Sequence, residues 1–124
     1  MFMDDLYREL ILDHYKNPRN FGTLKHPVCS AHKNNPLCGD ELTVELNIKD
    51  GSVADVKFSG QGCAISIASA SMLSEKVMSA SVSDLKRLTK DDIVNMLGTT
   101  FTPARLKCAL LSLEVLQQAV KEIS

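Results

Sequence analysis

Between positions 42 and 49 the chain alternates. Leu42, Val44, Leu46 and Ile48 are apolar, and Thr43, Glu45, Asn47 and Lys49 are polar. A period of two marks a strand with one buried and one wet face. Asp50-Gly51 follows, a pair that favours positive φ at both central residues of a tight hairpin, and Val53, Val56 and Phe58 carry the returning strand. Upstream, a strand is expected from Pro27 to about Lys33. The segment Asn34-Asn35-Pro36-Leu37-Cys38-Gly39-Asp40 is dense in turn formers and reads as a loop. Gly60-Gln61-Gly62 is expected to break the third strand just before Cys63.

The rest of the chain has helical spacing. From Asp4 to Lys16, Leu6, Leu10 and Asp13 share one face with Tyr7, Ile11 and Tyr15 beside it, and Asn17-Pro18 ends the helix. Ala64 to Ala80 reads as a helix rich in Ala, Met and small Ser positions. Ser83–Leu88 and Thr89–Leu97 read as one or two short helices, with Thr89 and Asp92 resembling a capping box. Thr102-Pro103 opens the last helix, with Leu106, Leu110, Leu113 and Val120 as its expected main buried stripe. The order predicts an α+β fold, a three-stranded antiparallel meander packed against four to five helices.

Composition then narrows the function. A chain of 124 residues fits one domain spanning 1–124. With 14 Lys+Arg against 15 Asp+Glu, a net charge of −1, no Trp and 5% aromatics, it lacks the field and stacking surfaces of a nucleic-acid binder. Its longest uncharged run, 58–74, is too short and too Ser-rich to span a membrane. The acidic start Met1-Phe2-Met3-Asp4-Asp5 is unlike a signal peptide, and four Cys are too sparse for a disulfide scaffold. A cytoplasmic, reducing setting is therefore expected.

Free thiols in such a setting serve metal binding, catalysis or core packing. Cys38 lies in the Pro/Gly loop two residues before Asp40, and Cys63 follows Gly60-Gln61-Gly62 at a helix start, where the macrodipole favours thiolate. Cys108 lies in the first two turns of the last helix beside Lys107 and near Arg105, cations that would stabilise negative charge. Gly39 gives the loop the freedom to point Cys38 and Asp40 at one centre. If the fold joins these segments, they supply three thiolates and one carboxylate. Soft ligands of this kind select zinc or iron–sulfur chemistry, and the carboxylate would be the exchangeable member. Core packing is the competing account, above all for Cys108, which aligns with Leu111 and Val115. Cys29 and His32 form a C-x-x-H pair, but three residues apart on a strand they face opposite sides. His14 and His26 read as surface or satisfied histidines, and Met72, Met78 and Met96 as core.

Taken together, the sequence resembles the IscU/SufU family of iron–sulfur cluster assembly proteins, which share a fold with the N-terminal part of NifU. The resemblance rests on four segments in order: Tyr7 to Asn20, Asn35-Pro36-Leu37-Cys38-Gly39-Asp40, Gly60 to Ser66, and Arg105-Leu106-Lys107-Cys108-Ala109. It implies that Cys38, Asp40, Cys63 and Cys108 bind zinc or a nascent [2Fe–2S] cluster, with Cys29 outside the set. It also implies that a cysteine accepts sulfur from a PLP-dependent cysteine desulfurase. Isc-type members carry His before the third Cys and paired prolines upstream. Here those places hold Lys107 and the stretch Phe101 to Arg105, which argues against recognition by the dedicated Hsp70-type chaperone. The Arg105-x-Lys107-Cys108 arrangement resembles the Suf-type branch, although the interval from Cys63 to Cys108 is too short for that branch's usual insertion.

The expected function is a zinc-dependent sulfur relay. Cys38 would be the acceptor, Cys108 the alternative, and Arg105 and Lys107 would stabilise thiolate or persulfide. The rival is a scaffold that builds a [2Fe–2S] cluster for apo iron–sulfur proteins. A zinc hydrolase with Asp40 as base fits poorly, because a carboxylate held as a metal ligand is not free to take a proton.

Overall fold

The computed structural model describes residues 2–36, 39–121 and 123. Among them the order is α1 (Phe2–Lys16), β1 (Cys29–Asn35), β2 (Asp40–Lys49), β3 (Ser52–Gln61), α2 (Ala64–Val77), α3 (Val82–Arg87), α4 (Lys90–Leu97) and α5 (Pro103–Val120). The strands form one antiparallel sheet in the order β1-β2-β3. One face of it carries α2 and α5, α1 lies on α2, and α3 and α4 pack against α5. The architecture is the expected α+β meander with helices.

Local chemistry accounts for most boundaries. Asp50 and Gly51 take φ of 55° and 78° in the β2–β3 turn, the left-handed pair that hairpin twist requires. Thr89 accepts from the Asp92 N–H while the Asp92 carboxylate accepts from the Thr89 N–H, closing the capping box of α4. Thr102 caps α5 and Pro103 stands at its start, where the missing N–H costs nothing.

Four expectations change. β1 begins at Cys29 rather than Pro27 and runs on to Asn35. β3 continues through Gly60 to Gln61, because Gly60 pairs with Leu42 at a close approach: a Cβ there would meet the Glu41 carbonyl oxygen at 2.1 Å. The glycine permits the strand instead of ending it. α2 stops at Val77, since Ser79 and Ala80 leave the helix to hydrogen-bond with Val53 at the start of β3.

The fourth concerns helix faces. α1 buries Ile11 and His14 and lays Tyr7 on Gly98, leaving Leu6 66% exposed and Leu10 and Tyr15 exposed as well. In α5, Leu106 and Leu110 are only half-buried, whereas Cys108, Leu111, Ser112, Val115, Leu116 and Ala119 are buried along with the expected Leu113 and Val120. α5 touches β1, β2, α2, α3 and α4, so its core-facing surface is too wide for a single stripe to define. Phe58, Leu42, Leu46, Leu85, Ile93, Leu97 and Leu116 fill the centre of the core.

Candidate metal centre

Three segments distant in sequence meet at one end of the sheet. Asp40 opens β2, Cys63 is the N-cap of α2, and Cys108 lies in the second turn of α5. One ligand atom from each lies within 4.8 Å of the others. Asp40 and Cys108 are buried, at 2% and 4% exposure, and Cys63 is half-buried. Cys38 lies outside the described residues, as does Leu37.

The strand itself aims the carboxylate. Asp40 is in phase with Leu42, Val44 and Leu46 on the buried face of β2, so the alternation that builds the core carries an acid inward at its first position. Gly39, at φ 72°, turns the chain into the strand, and its N–H bonds the Asn35 carbonyl at 2.9 Å. A carboxylate out of water must be hydrogen-bonded. Oδ1 accepts the Cys63 N–H at 2.9 Å, and Oδ2 accepts the Ser66 hydroxyl. The Cys63 side chain makes no capping bond, so Asp40 supplies the anion at the positive end of α2 from another element.

The sulfurs complete the group. Cys63 Sγ lies 3.7 Å from Asp40 Oδ2 and 3.6 Å from Ser66 Oγ. The Cys108 thiol donates to the Ala104 carbonyl at 3.7 Å. Two soft donors and one hard donor, converging in a largely buried corner, form a set that fits zinc.

The remaining candidates fall elsewhere. Arg105 and Lys107 are exposed and face different grooves, being two apart on a helix. Arg105 borders one of about 380 Å³ with Arg8, Ile65 and Phe101, and Lys107 borders one of about 250 Å³ with Asn34, Pro36 and Glu114. Cys29 packs half-buried against the core, where burial pushes its thiol pKa up. His32 is on the opposite, exposed face of β1 and bonds Thr43 Oγ1 at 2.8 Å, so the C-x-x-H pair is split. His14 is buried with Nδ1 2.7 Å from Ser71 Oγ, and His26 is exposed. Met72 is buried, and Met78 and Met96 pack against the core. Sequence reasoning gave Ser66 no role; the available signal was its place three residues after a helix-opening cysteine.

Comparison with known proteins agrees with this arrangement. The NifU-like N terminal domain family matches residues 6–124. The zinc-dependent sulfurtransferase SufU of Bacillus subtilis is 38% identical, over 95% of this chain and 91% of that one. That alignment runs to 135 positions against the 124 residues here, so SufU carries extra residues within the match. The iron–sulfur cluster assembly scaffold protein IscU of Aquifex aeolicus is 37% identical over 118 positions, 94% of this chain and 74% of that one. The crystal structure of a nitrogen-fixing NifU-like protein (N-terminal) from Brucella abortus superposes with a TM-score of 0.80 at 26% identity, covering 99% of this chain and 97% of that one. Sequence, fold and the full span of the match agree: the chain belongs to the NifU-like N-terminal domain family, the IscU/SufU proteins of iron–sulfur cluster assembly.

Proposed function

We propose that this protein is a zinc-dependent sulfur acceptor, with Cys38 taking sulfur from the persulfide of a PLP-dependent cysteine desulfurase. The observation that carries the reading is the convergence of Asp40, Cys63 and Cys108, with Asp40 at the start of β2 and two residues after Cys38 in the sequence. Similarity to a zinc-dependent sulfurtransferase supports it.

Cys38, Asp40, Cys63 and Cys108 would hold the metal. Zinc, when bound, keeps cysteine sulfur deprotonated at neutral pH. In the transfer, the Cys38 thiolate attacks the terminal sulfur of the desulfurase persulfide. The S–S bond on the desulfurase breaks, its cysteine leaves as thiolate, and a new S–S bond makes Cys38 the persulfide. One S–S bond replaces another, so no oxidant is consumed. Arg105 and Lys107, in their separate grooves, offset the anionic charge as the two proteins meet. Cys108 is the alternative acceptor.

A scaffold role, in which [2Fe–2S] cargo is built here and passed to apo iron–sulfur proteins, is favoured by similarity to proteins named as IscU scaffolds. The deciding assay follows alanine release by a cysteine desulfurase with zinc-quantified protein. Strong stimulation that disappears in Cys38→Ala is expected. Full sulfur acceptance by Cys38→Ala would remove Cys38 from the role. Absent stimulation together with cluster transfer to an apo-ferredoxin would establish the scaffold.

A further inference from the structure

Ser66 is fully buried in the first turn of α2, and its hydroxyl reaches the Asp40 carboxylate, the Cys63 sulfur and the Cys108 backbone. It donates to Asp40 Oδ2, lies 3.6 Å from Cys63 Sγ, and lies 3.3 Å from the backbone carbonyl of Cys108. A hydroxyl has one proton and two lone pairs, so the Asp40 carboxylate and the Cys108 carbonyl compete for that proton.

The neighbouring serines differ in kind. Ser69 donates to the Ala109 carbonyl at 2.7 Å and meets Ser112, tying α2 to α5. Ser71 pairs with His14, and Ser74 donates to the Ser71 carbonyl. Those contacts are helix packing. Ser66 alone among these four bonds a candidate ligand.

We infer that Ser66 is a positioning residue that fixes the Asp40 carboxylate for metal binding. The Cys63 N–H anchors Oδ1, and the Ser66 hydroxyl anchors Oδ2 on the side of the Cys63 sulfur. With both oxygens held, the carboxylate cannot rotate away, and the Oδ2 lone pair that accepts the Cys63 thiol at 3.7 Å is freed for a cation once that thiol is deprotonated. Partners of this sort orient metal ligands, and losing one typically costs about 10–100-fold in metal affinity.

The inference rests on the zinc reading, and the test separates the two. Ser66→Ala keeps the helix, since alanine has the best helical propensity. Zinc(II) is loaded on the wild-type protein, Ser66→Ala, Ser66→Thr and Ser69→Ala, and its transfer to a colorimetric chelator is followed. Ser66→Ala is expected to lose about tenfold or more in affinity, while Ser66→Thr, which keeps the hydroxyl, and Ser69→Ala stay near wild type. In an Asp40→Ala background, Ser66→Ala should cause no further loss, because its effect passes through that carboxylate. Wild-type retention in Ser66→Ala, or an undiminished Ser66→Ala effect without Asp40, overturns the role of Ser66. Failure of the wild-type protein itself to retain zinc overturns the metal reading instead.

Discussion

The carboxylate of Asp40 occupies the space that a side chain at position 62 would take: a Cβ on Gly62 would lie 2.8 Å from Oδ1 and 3.0 Å from Cγ. Asp40 has little room to yield, since both its oxygens are hydrogen-bonded and it is buried. The glycine before Cys63 therefore serves a neighbour from another strand.

Gly62→Ala is expected to push Asp40 out of line and weaken zinc retention by about tenfold, the scale seen when a ligand loses its orientation. Gly62 has no left-handed backbone to strain, so the fall in the melting temperature of the metal-free protein comes from the displaced, buried Asp40 carboxylate and should vanish in an Asp40→Ala background. Chelator competition beside a thermal melt checks both halves. Unchanged zinc affinity would show that Asp40 is not held by this contact.

A second expectation concerns acid. Burial, and then the Arg19 charge, hold the His14 pKa below its ordinary 6.5, against the opposing pull of Glu75 and Asp13. The folded state thus keeps His14 neutral where the unfolded chain takes up a proton. The unfolded state binds more protons in that window, so stability rises with pH there. It is complete above pH 6.5 and declines as pH falls through 6.5 towards the lowered folded value. Denaturant melts across this range should show the decline in the wild type and a flatter profile in His14→Gln. Parallel profiles would exclude His14 as the cause.

The seat of α1 can be tested at Gly98. This residue ends α4 at φ 75°, and its missing Cβ would fall 2.2 Å from the ring of Tyr7. Gly98→Ala should cost about 1–2 kcal/mol from left-handed strain alone, plus the displacement of Tyr7. In a Tyr7→Ala background only the strain remains, so the penalty should shrink. Equal penalties in both backgrounds would mean that the ring does not rest on the glycine. Urea unfolding of the four proteins supplies the cycle.

Much of this protein is legible along the chain because its signals are local. The period-two run 42–49, the Asp50-Gly51 turn, the Thr89–Asp92 box and Thr102-Pro103 each describe contacts within a few residues, and each reappears in the structure. Asp40 is a correction: the turn formers before it put it in the loop, whereas it opens β2 as the first inward position of the alternation. The gathering of Asp40, Cys63 and Cys108 was legible only as chemistry, donors in Gly-flanked settings, and through family resemblance.

Contacts across the fold decided the rest. Which residues α1 and α5 bury depended on the elements that surround each helix, and α5 packs against β1, β2, α2, α3 and α4. Gly60 and Gly62 looked like strand breakers, yet each yields space to a group some twenty residues away. The bond from Ser66 to Asp40 spans 26 residues, and no periodicity in either segment records it. A sequence determines its own local geometry because neighbouring dihedrals and side chains meet under any tertiary arrangement. The orientation of a buried carboxylate depends on donors from another element, so only the packed structure could assign it.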